Sequence, residues 1–178
     1  MIREGASVSA SNRIRIQRTL REAEGYLELS MPQTALDLLA RLADPGTFRG
    51  QKLYLTGEAL RSLDRHAEAV LVLEEAADLL PSNVHVWLAL GWCRKRIGRL
   101  DLAIGALERA EEVSPEEAIV HYNLACYWSL AGKKNRSLAY LSRAISLDSN
   151  YRDLLLDEPD FDPIRSDPEF RALTEIIV

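Results

Sequence analysis

Cysteine is nearly absent from this chain. Of its 178 residues only Cys93 and Cys126 carry a thiol. Two thiols so far apart make neither a disulfide framework nor a metal pair at ligand spacing, so both read as buried, reduced side chains. Histidine is as scarce. His66, His85 and His121 are all there are, and none stands with a cysteine or a carboxylate at the separations a metal centre requires. No glycine-rich phosphate loop occurs. No apolar run approaches the ~18–20 residues of a membrane-spanning helix, and Met1 to Ala10 lack the apolar stretch of a signal peptide. A basic surplus is missing too: the formal net charge is -5 and the pI about 5.3, the wrong sign for neutralising phosphates. These absences set the expectations of no metal, no cofactor, no nucleic acid, no membrane insertion and a cytoplasmic location.

What is present is a repeat. Gly57 and Gly91 stand 34 residues apart, with Ala23 and Ala125 in step. A second small-residue column runs Ala35, Ala69, Ala103, Ser137, a third is Leu39, Leu73, Leu107, Leu141, and a fourth is Leu42, Ala76, Ala110, Ala144. Four columns hold one phase without an insertion, which defines units 16–49, 50–83, 84–117 and 118–151. Each unit contains two blocks of helical periodicity around a short polar turn. In the third unit these are Val84–Ile97 and Leu100–Val113 around Gly98-Arg99. Ser30, Asp64, Gly98 and Gly132 share the turn position and suit a helix end. Pro81 and Pro115 follow the second helices, where proline can end one helix and admit the next. Small residues let the helices of a hairpin approach closely. The leucine column is expected to fill the seam between successive hairpins, since no hairpin buries both faces alone.

The third unit, with Trp87, Leu90-Gly91, Ala103, Leu107, Ala110 and Pro115, resembles a tetratricopeptide (TPR) repeat. The second matches through Leu53, Gly57, Ala69, Leu73, Ala76 and Pro81, and the fourth through Leu124-Ala125, Leu141 and Ala144, with Ser137 and Ser149 as departures. The first is weakest, retaining Ala23, Tyr26, Ala35 and Leu39. The resemblance implies an all-α, right-handed α-solenoid of four helix-turn-helix repeats over 16–151. Residues 152–178 resemble the segment that closes the last repeat in many bacterial TPR proteins. There, Asp162-Pro163 and Asp167-Pro168 read as N-caps followed by proline at the first helical position. The second is expected to start a helix running toward Ile177, with Phe161, Ile164, Phe170, Leu173 and Ile176 forming the apolar covering side. Residues 1–15 read as a flexible segment or the start of the first helix.

In the TPR family the first helix of each repeat lines a concave groove that holds a protein or peptide partner. The groove positions carried over here include Glu24, Tyr54, Glu58, Arg61, His85, Leu88, Trp92, Lys95, Arg96, Tyr122, Cys126 and Ser129. Exposed aromatics beside arginine supply large contact area at low entropic cost and so serve as anchors. The carboxylate clamp of the co-chaperone subclass is absent: its positions hold Leu20, Glu24, Leu55, His85 and Ala89, or in the shifted register Tyr54, Glu58, Ala89, Ile119 and Asn123. His85 and Cys126 could pair as base and nucleophile across adjacent helices, but nothing supplies an orienting group or an oxyanion site. A non-catalytic adaptor or assembly factor is therefore expected. A dedicated secretion-system chaperone (the stretch Trp87–Ile104 resembles such TPR proteins) and a regulatory subunit of a separate enzyme stand as alternatives. Pairing of two copies through first or last helices is left open. Residues 152–178 hold eight acids against three arginines, so the tail is expected also to shield the basic centre of the groove.

Overall fold

Small residues at fixed spacing permit close helix pairing, and the computed structural model, which describes residues 10–174, is built from helices paired in that way. The chain divides after Pro81 into two compact units. The first contains α1 (Ala10–Glu28), α2 (Pro32–Ala40), α3 (Arg49–Ser62) and α4 (His66–Leu79). The second contains α5 (Val84–Arg96), α6 (Leu100–Val113), α7 (Ala118–Leu130) and α8 (Lys134–Leu147). A tail follows with α9 (Tyr151–Leu154), a 3-10 helix over Pro159–Ile164 and α10 (Pro168–Thr174). No strand occurs among the described residues, and the architecture is an all-α helical repeat.

The helices form where apolar residues recur every three or four positions. Ile16, Leu20 and Ala23 bury one stripe of α1, and Ala69, Leu73 and Ala76 one stripe of α4. All four members of the leucine column are fully buried. The sequence placed that column between hairpins. Instead Leu73 sits over Gly57 and Leu107 over Gly91, each within its own hairpin. A Cβ built on Gly57 would lie 2.5 Å from Leu73 Cγ, and one on Gly91 would lie 3.2 Å from Leu107 Cγ. Ser137, the departure in the small-residue column, is fully buried and donates its hydroxyl to the Ala125 carbonyl at 2.7 Å, so the polar atom is satisfied across the α7–α8 hairpin.

The turn column closes each hairpin identically. Ser30, Asp64, Gly98 and Gly132 all adopt the left-handed conformation, with φ of 56°, 58°, 77° and 69°. In each case the following amide reaches back to a carbonyl five residues earlier. The four bonds are Met31 N to Tyr26 O at 2.8 Å, and Arg65 N to Leu60 O, Arg99 N to Arg94 O and Lys133 N to Trp128 O, each at 2.9 Å. These bonds satisfy carbonyls orphaned at the helix end.

Two sequence expectations change. α1 begins at Ala10, within the segment read as either flexible or the start of the first helix. α2 has nine residues where α4, α6 and α8 each have fourteen. Pro45 disfavours helix at Asp44, and Gly46 is left-handed at φ 54°, so the second helix of the first repeat loses its last turn. Lys52 Nζ and the Asp44 carboxylate hold the opened segment through Leu42 O and Gly46 N. In the tail, Asp167 caps α10 through the Glu169 amide at 2.9 Å, as expected. Asp162 does not cap. Glu158 takes that role, accepting from Asp160 N at 3.1 Å, and Pro159 occupies the first helical position. Ile176 and the expected extension to Ile177 lie outside the described residues, as do residues 1–9.

The two kinds of glycine predict opposite substitution effects. Gly57→Ala forces a methyl into Leu73 and is expected to lower stability by about 1–3 kcal/mol. A Cβ on Gly105 in α6 meets nothing within 4 Å, so Gly105→Ala is expected to raise stability by ~0.4–1 kcal/mol through the unfolded state. Urea unfolding of both variants checks the pair, and equal signs would refute the packing argument.

Candidate functional site

The first helices of the hairpins present two faces, one in each unit. In the first unit α3 turns Tyr54, Glu58 and Arg61 to the same side, since i, i+4 and i+7 share a helix face. Arg61 clamps Glu58 through both carboxylate oxygens, Nε to Oε1 at 3.0 Å and Nη2 to Oε2 at 2.8 Å. Tyr54 is half-buried beside them. Burial pushes its phenol up to about 12, with Glu58 and Glu24 adding in the same direction and Arg61 opposing. Glu24 of α1 is exposed and close enough to be felt by that phenol. The four residues thus form one polar face around a tyrosine.

In the second unit α5 carries His85, Leu88, Trp92, Lys95 and Arg96. His85 and Arg96 are exposed, and Leu88, Trp92 and Lys95 are half-buried. The helix starts on Asn83, whose side chain accepts the His85 amide at 3.0 Å. The Arg96 guanidinium lies 5.5 Å from the Trp92 ring centroid, within cation–π range. Lys95 sits 5.4 Å from the Tyr127 ring and forms an ion pair with Asp160 of the tail.

That ion pair marks a correction. Tyr122, Cys126 and Ser129 of α7 were expected on the open groove, yet all three are buried, Ser129 completely. The tail covers α7. Phe161 packs edge-on against Tyr122 at 5.9 Å and beside Phe170 at 5.4 Å, while Tyr151 lies 4.8 Å from Tyr122 on another side. Leu155, Phe161, Ile164 and Phe170 are each no more than 5% exposed. At ~1.5–3 kcal/mol per buried side chain they contribute on the order of 6–12 kcal/mol, an upper estimate. Arg165 braces the cover from within, donating to the carbonyls of Leu155, Leu156 and Glu158 at 2.7–3.0 Å. Lys134 of α8 holds Asp167 at 2.8 Å.

The cover also disposes of the imagined His85–Cys126 pair. Burial, then Glu158 and Asp160, push the Cys126 thiol well above its ordinary value, with Lys95 opposing. A thiol so held is a poor nucleophile. His121, at a tryptophan position of the repeat, is buried, donates Nε2 to the Pro115 carbonyl at 2.7 Å and lies beside Tyr140, with ring centroids 5.9 Å apart. His66 is the buried first residue of α4. No group of three or more metal-ligating side chains occurs among the described residues, and no described helix is long and apolar enough to cross a membrane. The sequence signal for the covered face was Phe161 set among Glu158, Asp160 and Asp162, an anchor flanked by acids, facing a basic α5.

Paired helices closed by repeated left-handed turns, with an end segment over the last hairpin, define a helical-repeat scaffold. The tetratricopeptide repeat pattern matches residues 60–125. Solved structures show the same fold. MamA matches with a TM-score of 0.70 at 19% identity, over 78% of this chain and 81% of that one. YrrB, described as a TPR protein with an unusual peptide-binding site, matches at 0.69 and 21% identity over 79% and 73%. MamA AMB-1 matches at 0.64 and 25% identity over 80% and 79%. No curated protein matches the sequence significantly. Residues 60–125 of this chain thus match the tetratricopeptide repeat, within an all-α helical-repeat fold.

Two measurements test the site. Phe161→Ala is expected to cost about 3–5 kcal/mol and to speed thiol labelling of Cys126 well ahead of Cys93, which is buried in α5. Peptide mass spectrometry reads the two rates, and equal acceleration would mean the tail does not cover Cys126 selectively. The second concerns alkali. Tyr54 stays protonated in the folded chain above the value of 10.0 it has when unfolded, so its contribution to stability is complete below pH ~10 and is lost as pH rises toward 12. The melting temperature should fall over that window, and less steeply in Tyr54→Phe.

Proposed function

We propose that this protein is a non-catalytic adaptor or assembly factor that grips a short segment of a partner protein along the first-helix faces of its repeats. One observation carries the reading: α7 and Lys95 of α5 already hold a short 3-10 segment of their own chain, Pro159–Ile164, through one buried aromatic and the Lys95–Asp160 ion pair. A face of this kind suits a short segment with an aromatic anchor and flanking charges. The peptide-binding site ascribed to YrrB is in keeping with it. The faces left uncovered are the ones offered to a partner: Glu24, Tyr54, Glu58 and Arg61 in the first unit, and His85, Leu88, Trp92 and Arg96 in the second. Tyr122, Cys126 and Ser129 are excluded because the tail occupies their side, and Lys95 is left at the margin.

The charged residues on the two uncovered faces, Glu24, Glu58 and Arg61 on one and Arg96 on the other, favour an adaptor over a secretion-system chaperone, which would need an open apolar groove for its client. A cytoplasmic location and lack of nucleic-acid binding fit the acidic charge, and a regulatory role toward a separate enzyme would use the same faces. The test is affinity capture from the source lysate with the wild type, Trp92→Ala/Arg96→Glu and Tyr54→Ala/Arg61→Glu. A partner held by the wild type and lost from a variant with unchanged circular dichroism supports the reading and says which face binds. Retention by both folded variants would refute it.

A further inference from the structure

Charge is not spread evenly over this chain. Residues 10–21 contain four arginines and no acid, although the whole chain is net -5. Arg13, Arg15, Arg18 and Arg21 are all exposed along α1. Ile14, Arg18 and Arg21 lie at i, i+4 and i+7 on one side of the helix, and Ile14 is 67% exposed. A Cβ on Gly25, one turn further along that side, would meet nothing within 4 Å, so no neighbouring element covers it. Arg18 and Arg21 have no ion-pair partner among the described residues. The opposite arrangement stands in the tail. Leu154 and Leu156 are 53% and 72% exposed, and the exposed acids Asp153 and Asp157 flank them. Those two carboxylates also lack a partner among the described residues. By contrast Asp160, Asp162 and Asp167 are engaged by Lys95, Arg165 and Lys134.

An apolar side chain set among arginines at one end therefore matches an apolar pair set among acids at the other. We propose that copies of this protein associate head to tail, the α1 face of one copy docking on the Asp153–Asp157 segment of the next. Apolar side chains exposed singly are ordinary. Here both sets carry unpaired charges of opposite sign around them, and each satisfies what the other lacks. Made once between each pair of copies, the contact is heterologous, one surface meeting a different one, and builds chains or rings. Being small and solvent-exposed, it is weak, salt-sensitive and dependent on concentration. It uses neither face assigned to the partner above, so self-association and partner capture can fail independently.

Sedimentation velocity of the full chain over a concentration series tests the proposal. At low salt the weight-average mass should climb with concentration past that of a dimer. Raising salt to ~0.5 M shortens the screening length to about 4 Å and should weaken association at least about tenfold. Arg18→Glu/Arg21→Glu and Asp153→Arg/Asp157→Arg alter exposed side chains, and each alone should remain monomeric. Mixed together they should associate again, because each reversed surface then meets its complement. A wild type that stays monomeric at low salt overturns the proposal, as does a closed dimer that persists in either variant or a mixture that fails to associate. Should a reversed variant melt early, Ile14→Ser with the wild-type salt series decides in its place, and unchanged association of that variant counts against the proposal.

Discussion

Each hairpin of the second and third repeats depends on a leucine of the second helix seated over a first-helix position that has no room for a larger side chain. With Gly57 Cα beneath Leu73 and Gly91 beneath Leu107, the two helices pack in direct contact at these positions. A methyl at Gly57 would push them apart, and the apolar stripes of α3 and α4 would lose contact together. The repeated left-handed turn depends on the same closeness. It reverses the chain within three residues and satisfies the carbonyls that a longer loop would leave to solvent. Ser30 and Asp64 take up a conformation in which a side chain is strained, a sign that tertiary closure outweighs local preference there.

A repeat that buries its second face only against a neighbour has an unsolved side wherever the array ends. The tail resolves this at the C-terminal end of the second unit. Its short helices are individually too small to persist in water. Phe161, Ile164 and Phe170 become ordered by sinking onto α7, and Arg165 locks the backbone around them. The acids of the tail then fall into two groups. Some hold it down through Lys95 and Lys134, and others face solvent, where they are available to a second molecule. Covering α7 thus removes one stretch of inner face from partner binding and creates a new acidic surface.

Much of this was legible in the chain itself. The column of leucines, the small residues at 34-residue spacing and the four turn positions are local requirements of helix pairing, so they appear in sequence as periodicity. The bounds of α6 coincide with the predicted block, and α5 differs by its last residue. Glu24, Tyr54, Glu58 and Arg61 were legible as one face because they sit on helices whose register the repeat defines. The loss of the last turn of α2 traces to Asp44-Pro45-Gly46, a local break that the repeat phase does not display.

The sequence by itself determined which residues become helix, where each hairpin turns and which side of each helix is apolar, because these follow from spacing and backbone chemistry within a few turns. Only the tertiary structure decided that Tyr122, Cys126 and Ser129 are covered, that Glu158 rather than Asp162 caps the tail, and that Lys95 is spent on Asp160. Each of those depends on residues tens of positions apart competing for one surface. The winner is set by apolar area buried and charge paired after folding, and neither has a period that a sequence can display.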